Sequence, residues 1–192
     1  MSKRILIIGA GAQGNVISGV LSKAEDVGGL TLGDIDVERA REVAEFVHQD
    51  KIEAVRIDAS NIEEMTSLMK NGEYDLVVNA TLTDFNRSII QAAVNAKIHY
   101  LDMASHEYFL GSTPETEREE FLVEQLEWVK DFEDAGRMGV ILAGGDAGLS
   151  NIMCREAADE LDEIDYIGIK DFGAVECDIP VAMWSLPIYL ED

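Results

Sequence analysis

The chain has 192 residues, of which 47% are hydrophobic and 28% charged, a composition that excludes a disordered polymer and leaves room for one domain plus part of a second. Fifteen Lys and Arg stand against 38 Asp and Glu, for a net charge of −23. Such a field repels phosphate, which argues against nucleic acid and against a membrane surface as partners.

Strand-like and helix-like segments alternate from the start. Arg4 to Ile8 is an apolar, β-branched run that ends in glycines. Ala12 to Lys23 has helical periodicity, with Val16, Ile17, Val20 and Leu21 as its inward stripe. Leu30 to Leu32 reads as the next strand. Asp36 caps a helix over 37–47 with Val43, Ala44 and Val47 inward. Ala54 to Ile57 is strand, and Asn61 starts a helix carrying Ile62, Met65, Leu68 and Met69. Asp75 to Asn79 is almost wholly apolar, as a strand covered on both faces should be. Ser88 to Ala96 is helical and His99 to Met103 is strand. The alternation predicts an α/β fold: a doubly wound parallel sheet with helices on both faces.

After Met103 the rhythm changes. Ser112-Thr113-Pro114-Glu115 is a helix start, and one helix is expected to run to about Ala135 on a stripe of Phe121, Leu122, Leu126, Val129 and Phe132. Its other face carries nine acids against two bases between Glu115 and Asp134, the pattern of a solvated surface. Gly139 to Ala143 reads as a sixth strand, Leu149 to Leu161 as helix and Ile164 to Ile169 as a seventh strand. The expected division is residues 1–162 as one domain and 163–192 as the beginning of a second, unfinished one. The apolar tail around Trp184 and Ile188 needs something to pack against, so a homodimer is expected.

Cys154 and Cys177 lie far apart, with no CxxC and no clustered His, so no metal site and no disulfide framework is expected. No apolar run approaches the length of a membrane span. Met1-Ser2-Lys3-Arg4 leads straight into a short strand rather than a signal-peptide core, and a cytoplasmic location is expected.

Gly9, Gly11 and Gly14 form Gly-x-Gly-x-x-Gly between an apolar strand and an amphipathic helix, the context that gives this pattern meaning. The first glycine permits a tight turn, the second lets backbone approach a pyrophosphate, and the third allows close helix–strand contact. Ala12, Gln13 and Asn15 open the helix, whose N-terminus presents free N–H groups to phosphate. Asp34 ends the second strand, where a carboxylate bonds the adenosine ribose hydroxyls and repels a 2′-phosphate. Neither Gly33, Ile35 nor Asp36 is basic, so the expected cofactor is NAD rather than NADP, with Arg39 in the next helical turn as the one cation that bears on the choice. Ligands bind a sheet of this kind at the C-terminal ends of its strands. That places Asp58 and Ala59 near the adenine and Asn79, Ala80 and Thr81 near the nicotinamide ribose. Candidates for proton transfer follow from position alone: Asp102 and His106 past the fifth strand, and Asp146 in the later loop. Asp102 has an equally plain reading as a residue that braces the crevice, His106 as ordinary surface, and Cys154 as a packed thiol.

Gly144-Gly145-Asp146-Ala147-Gly148-Leu149-Ser150-Asn151, with Asn79-Ala80, His99-Tyr100-Leu101-Asp102 and Trp184-Ser185, resembles the saccharopine dehydrogenase-like family. Gly33-Asp34-Ile35-Asp36 and Asp58-Ala59-Ser60-Asn61 are most similar to its lysine 6-dehydrogenase branch. Ala147 stands where that family's loop usually carries proline. The resemblance implies a Rossmann-type domain and an NAD(H)-dependent oxidoreductase acting at a C–N bond of an amino-acid substrate such as saccharopine or lysine. It also implies that the Gly148-to-Asn151 turn offers helix N–H groups to a carboxylate or phosphate. Family members are longer, so the chain is expected to be the cofactor-binding half. The alternative from another class is a regulatory Rossmann module that senses NAD(H) without chemistry.

Overall fold

The computed structural model describes residues 2–47, 51–105 and 123–170. Six strands form one parallel sheet: β1 (Lys3–Ile8), β2 (Val27–Asp34), β3 (Ile52–Arg56), β4 (Leu76–Asn79), β5 (His99–Leu101) and β6 (Gly139–Val140), in the order β3-β2-β1-β4-β5-β6. The chain winds outward from β1 in one direction, returns, and winds outward from β4 in the other. That is the doubly wound topology, with its switch point between β1 and β4.

Strand alternation sends β1 side chains to two separate cores. Ile5 and Ile7 pack with Leu30, Leu32, Ala40, Val43 and Val78 on the side of α1 (Ala12–Leu21) and α2 (Val37–Val47). Leu6 and Ile8 pack with Ile57, Met65, Met69, Val77, Ile89, Ile90 and Tyr100 under α3 (Ile62–Asn71) and α4 (Asn86–Ala96). Asn61 caps α3, its Oδ1 accepting from the Glu64 N–H at 3.1 Å while its amide donates to the Glu64 carboxylate at 3.2 Å. Among the described residues no helix is long and apolar enough to cross a membrane.

Three expectations are corrected. In α1, Val16 and Val20 are exposed, and the residues turned inward are Gly14 and Ser18 with Ile17 and Leu21. The helix starts so close to the sheet that only small side chains fit its first turns. The helix expected to reach Ala135 is, in its described part, two pieces: α5 (Val123–Leu126) and α6 (Val129–Ala135), with a turn at Glu127 and Trp128. Leu126 and Val129 are exposed, whereas Gln125 and Phe132 are buried. The start of that helix, in residues 106–122, lies outside the described residues, as does the tail around Trp184. The third correction is the seventh strand. After α7 (Leu149–Ala158), residues 161–170 have no regular structure and are exposed, and among the described residues no strand pairs with them to complete a ladder.

Candidate dinucleotide-binding site

The strands end flush at the switch point. Ile8 is level with Gly33 on one side and with Asn79 on the other. The Gly9 N–H donates to Gly33 O at 2.7 Å, and the Ala80 N–H donates to Ile8 O at 2.8 Å. The three glycines then play different parts. Gly9 has φ +105°, and a Cβ on it would lie 2.5 Å from Ala80 O, so only glycine lets the first turn pass under the loop after β4. A Cβ on Gly14 would collide with Gly9 O, so the start of α1 rests directly on the turn. Gly11 is exposed, and a Cβ there would meet no protein atom within 4 Å. The space beside its backbone is open to a ligand.

Gly11 is also the N-cap of α1 and supplies no side-chain cap to the first-turn N–H groups. Ala12 and Gln13 are exposed there, while the Asn15 N–H is taken by Gly11 O at 2.9 Å. Open space, bare N–H groups and the positive end of a helix fit a pyrophosphate.

Asp34 ends β2 with 8% exposure. Its Oδ2 accepts from the Ala10 N–H at 2.8 Å, and its Oδ1 from the Asp36 N–H at 2.9 Å. The carboxylate thus ties the glycine turn to β2 and keeps a fixed direction. Ile35 beside it is exposed. The Arg39 guanidinium reaches to 4.0 Å from Asp34 Oδ2 and is itself half-exposed. On the next strand end, Asp58 accepts from the Ser60 N–H at 2.9 Å and the Ser60 hydroxyl at 2.6 Å. Those bonds hold its carboxyl below the usual carboxylate range. Ala59 is half-buried, its carbonyl accepting from the Ser88 hydroxyl at 2.6 Å.

Asn79 is buried at the end of β4, and its Oδ1 accepts from both the N–H and the hydroxyl of Thr81, at 3.0 and 2.6 Å. Asp102, just past β5, is 1% exposed. Its Oδ2 accepts from the Tyr100 hydroxyl at 2.9 Å and the Gln125 amide at 3.0 Å, and its Oδ1 from the Leu142 N–H at 2.8 Å. Burial raises its carboxyl above the usual carboxylate range, against the lowering effect of those three donors. Burial, reinforced by the Asp102 charge, also pushes the Tyr100 phenol well up. Asp146 is exposed and accepts from the Ser150 hydroxyl at 2.6 Å. His106 lies outside the described residues.

The turn before α7 is closed on itself. The Leu149 and Ser150 N–H groups donate to Gly144 O and Gly145 O, at 2.9 and 3.0 Å, and the Gly148 N–H to Asn151 Oδ1 at 2.9 Å. The first helical N–H groups that sequence reasoning offered to an anion are therefore spent within the loop. Sequence reasoning also missed Tyr100, Asn86 and Gln125. Tyr100 carried a signal, since it precedes Asp102 by two positions on a strand and so shares its face. Gln125 carried none, because it sits off the apolar stripe.

The family model described as the saccharopine dehydrogenase NADP binding domain matches residues 5–140. A carboxynorspermidine synthase of Vibrio cholerae is 30% identical over 182 residues, covering 88% of this chain and 43% of that protein. A carboxyaminopropylagmatine dehydrogenase of Synechocystis is 26% identical over 172 residues, covering 89% of this chain and 42% of that one. The chain thus spans less than half the length of these curated relatives. The fold is shared with apo saccharopine dehydrogenase (L-Glu forming) from Saccharomyces cerevisiae, with a TM-score of 0.67 and 15% identity over 83% of this chain and 31% of that one. The matched span runs from Ile5, within β1, to the end of β6, and takes in the glycine turn and Asp34. The chain belongs to the saccharopine dehydrogenase family, and this stretch is its nicotinamide-dinucleotide-binding domain.

Proposed function

We propose that the chain is the cofactor-binding part of an NAD(H)-dependent oxidoreductase that transfers a hydride at a C–N bond of an amino-acid substrate. The observation that carries this reading is the junction at the switch point. There Gly9 and Gly14 are locked by close contacts while Gly11 faces open space, beside an Asp34 carboxylate held at the end of β2. The N–H groups of the first turn of α1 would hold the pyrophosphate, Asp34 the adenosine ribose, and the Asn79–Thr81 loop the nicotinamide ribose. When bound, the dinucleotide supplies or accepts the hydride, and the chain's own residues fix its direction. The C–N specificity rests on the family and on the names of its relatives, both of which suggest amino-acid-derived amines. Among the three candidate proton carriers, Asp146 keeps an exposed carboxylate, whereas Asp102 is spent on bracing. Residues that recognise substrate are expected outside the described part.

The preference for NAD over NADP rests on Asp34, which meets the 2′-position with a negative charge, and the nearby Arg39 works against it. Calorimetric titration with NADH and NADPH tests both points. The natural chain is expected to bind NADH at least about tenfold more tightly than NADPH. The double variant Asp34→Ala, Ile35→Arg is expected to reverse that order. Unchanged selectivity in the double variant would remove Asp34 as the selector, and no binding of either nucleotide would remove the cofactor reading.

A further inference from the structure

Under the floor of the crevice, the loops after β4 and after β6 are joined through buried side chains. The loop after β4 takes its shape from the Asn79 carbonyl oxygen, which holds both the N–H and the hydroxyl of Thr81. The direction of that amide is set by its other end. Asn79 Nδ2 donates to Asn86 Oδ1 at 2.8 Å and to the Tyr100 hydroxyl at 3.3 Å. The Tyr100 hydroxyl itself donates to Asp102 Oδ2 at 2.9 Å. Asp102 in turn holds the other loop, its Oδ1 accepting from the Leu142 N–H at 2.8 Å and its backbone carbonyl from the Ala143 N–H at 2.9 Å. One phenolic hydroxyl therefore links Asn79 directly to Asp102, beside a longer route through Asn86, Ala104 O and Gln125.

The arrangement is costly. Tyr100, Asp102 and Asn79 are 0%, 1% and 3% exposed, and an apolar set of the same volume would fill the site without desolvating a carboxylate. Such a network returns a fixed geometry, because each hydrogen bond has one direction once the acceptor is a carboxylate. The fixed element is the Ala80–Thr81 backbone, which lies against Gly9 at the switch point. We infer that Tyr100 is a positioning residue for the nicotinamide half of the bound dinucleotide, acting through Asn79 on the Thr81 loop and through Asp102 on the loop at Leu142. The inference rests on the cofactor reading above. It leaves the adenine half untouched, since Asp34 lies at the end of β2, on the far side of β1 from this network.

The Tyr100→Phe variant isolates the direct link. The ring keeps its place beside Phe132, with centroids 6.3 Å apart in the natural chain. Asn79 Nδ2 loses the longer of its two hydrogen bonds but keeps Asn86, and Asp102 keeps Gln125 and the Leu142 N–H, so each buried side chain retains a partner. Calorimetry of the full chain with NADH and with ADP, which lacks both the nicotinamide and its ribose, reads the two halves separately. ADP affinity is expected to stay within about twofold, while NADH weakens about five- to tenfold, the worth of one hydrogen bond. A purely structural role would lower the melting temperature and leave the ratio of the two affinities alone, and that result overturns the inference. So does an equal loss for both ligands. If Tyr100→Phe fails to fold, Asp102→Asn breaks the link from its other side, because the amide puts a donor where the carboxylate accepts either from Tyr100 and Gln125 or from the Leu142 N–H, and it should show the same selective NADH loss. An unaltered ratio in Asp102→Asn overturns the inference. A natural chain that binds neither ligand overturns the cofactor reading and this inference with it, whereas a natural chain that binds both while no variant changes the ratio overturns this inference alone.

Discussion

At the scale of the residue, identical side chains have opposite duties. Gly11 has φ −74°, which alanine adopts without strain, and no atom of the chain lies where the added methyl would go. Gly11→Ala should therefore leave stability within about 0.5 kcal/mol of the natural chain. It should weaken NADH at least about tenfold, because the methyl takes the space left for the pyrophosphate. Gly14→Ala drives its methyl into Gly9 O and should cost about 1–3 kcal/mol as an overpacked contact. Thermal melts beside NADH titrations check the pair; equal stability losses would show that the open space at Gly11 is not ligand space. Asp102 makes a different kind of prediction. Its carboxyl is raised by burial, so between the unfolded value near 3.8 and its higher folded value the native chain holds more protons than the unfolded one. Stability from this group therefore falls as pH rises through that window. Asp58 and Asp75 are depressed by their hydrogen bonds and act the other way, losing stability only as pH drops below 3.8. The stability difference between Asp102→Asn and the natural chain should accordingly move in the variant's favour as pH rises from about 4 toward neutrality. Parallel curves would show that Asp102 does not titrate across that range. The placing of Gly11 at a turn and of Asp34 at a strand end was legible because both follow from a spacing. Tyr100 and Gln125 were not, because a buried polar partner is defined by what faces it across the fold.

At the scale of the element, legibility tracks how far a segment's own pattern agrees with its tertiary setting. The helix expected over 37–47 forms as α2 over those residues, since an acid precedes it, apolar positions recur at helical spacing, and its inward Val43 meets a matching core. α3 is equally plain, with Asn61 as cap and Met65 and Met69 wholly buried. The pattern misleads where a polar demand outranks it. Leu126 and Val129 lie on the apolar stripe but face solvent, because Gln125 points inward to donate to Asp102 and to Ala104 O at 3.2 Å. Meeting that demand turns the chain at Glu127 and Trp128 and divides one expected helix into α5 and α6. In α1 the glycine turn outranks the valines. Contact with Gly9 admits Gly14, and the Ser18 hydroxyl folds back onto Gly14 O at 2.6 Å, so the small side chains take the inner face. The segment at Ile164–Ile169 has the β-branched content of a strand without a ladder to join, which no periodicity can report.

At the scale of the molecule, charge and function pull against each other. A chain of net charge −23 must admit an anionic dinucleotide, and the rim of the crevice adds Asp34, Asp36 and Asp58. The attraction proposed for the ligand is local: the N-terminus of α1, whose partial charge is felt over about one helical turn. What opposes its approach is the whole surface, whose field extends about 30 Å at 0.01 M salt and about 10 Å at 0.1 M. Added salt shortens the second far more than it weakens short contacts between first-turn N–H groups and phosphate. The on-rate for NADH should therefore rise with ionic strength, by about two- to fivefold between roughly 0.02 and 0.3 M salt, where a cationic crevice would show a fall. NADPH, with its extra phosphate, should gain more. Stopped-flow nicotinamide fluorescence measures both rates. A fall for both nucleotides would mean that the positive end of α1 and Arg39 govern the encounter as well as the bound state. A rise confined to the on-rate, with the off-rate unmoved, would separate long-range repulsion from the contacts proposed for Gly11, Ala12 and Asp34.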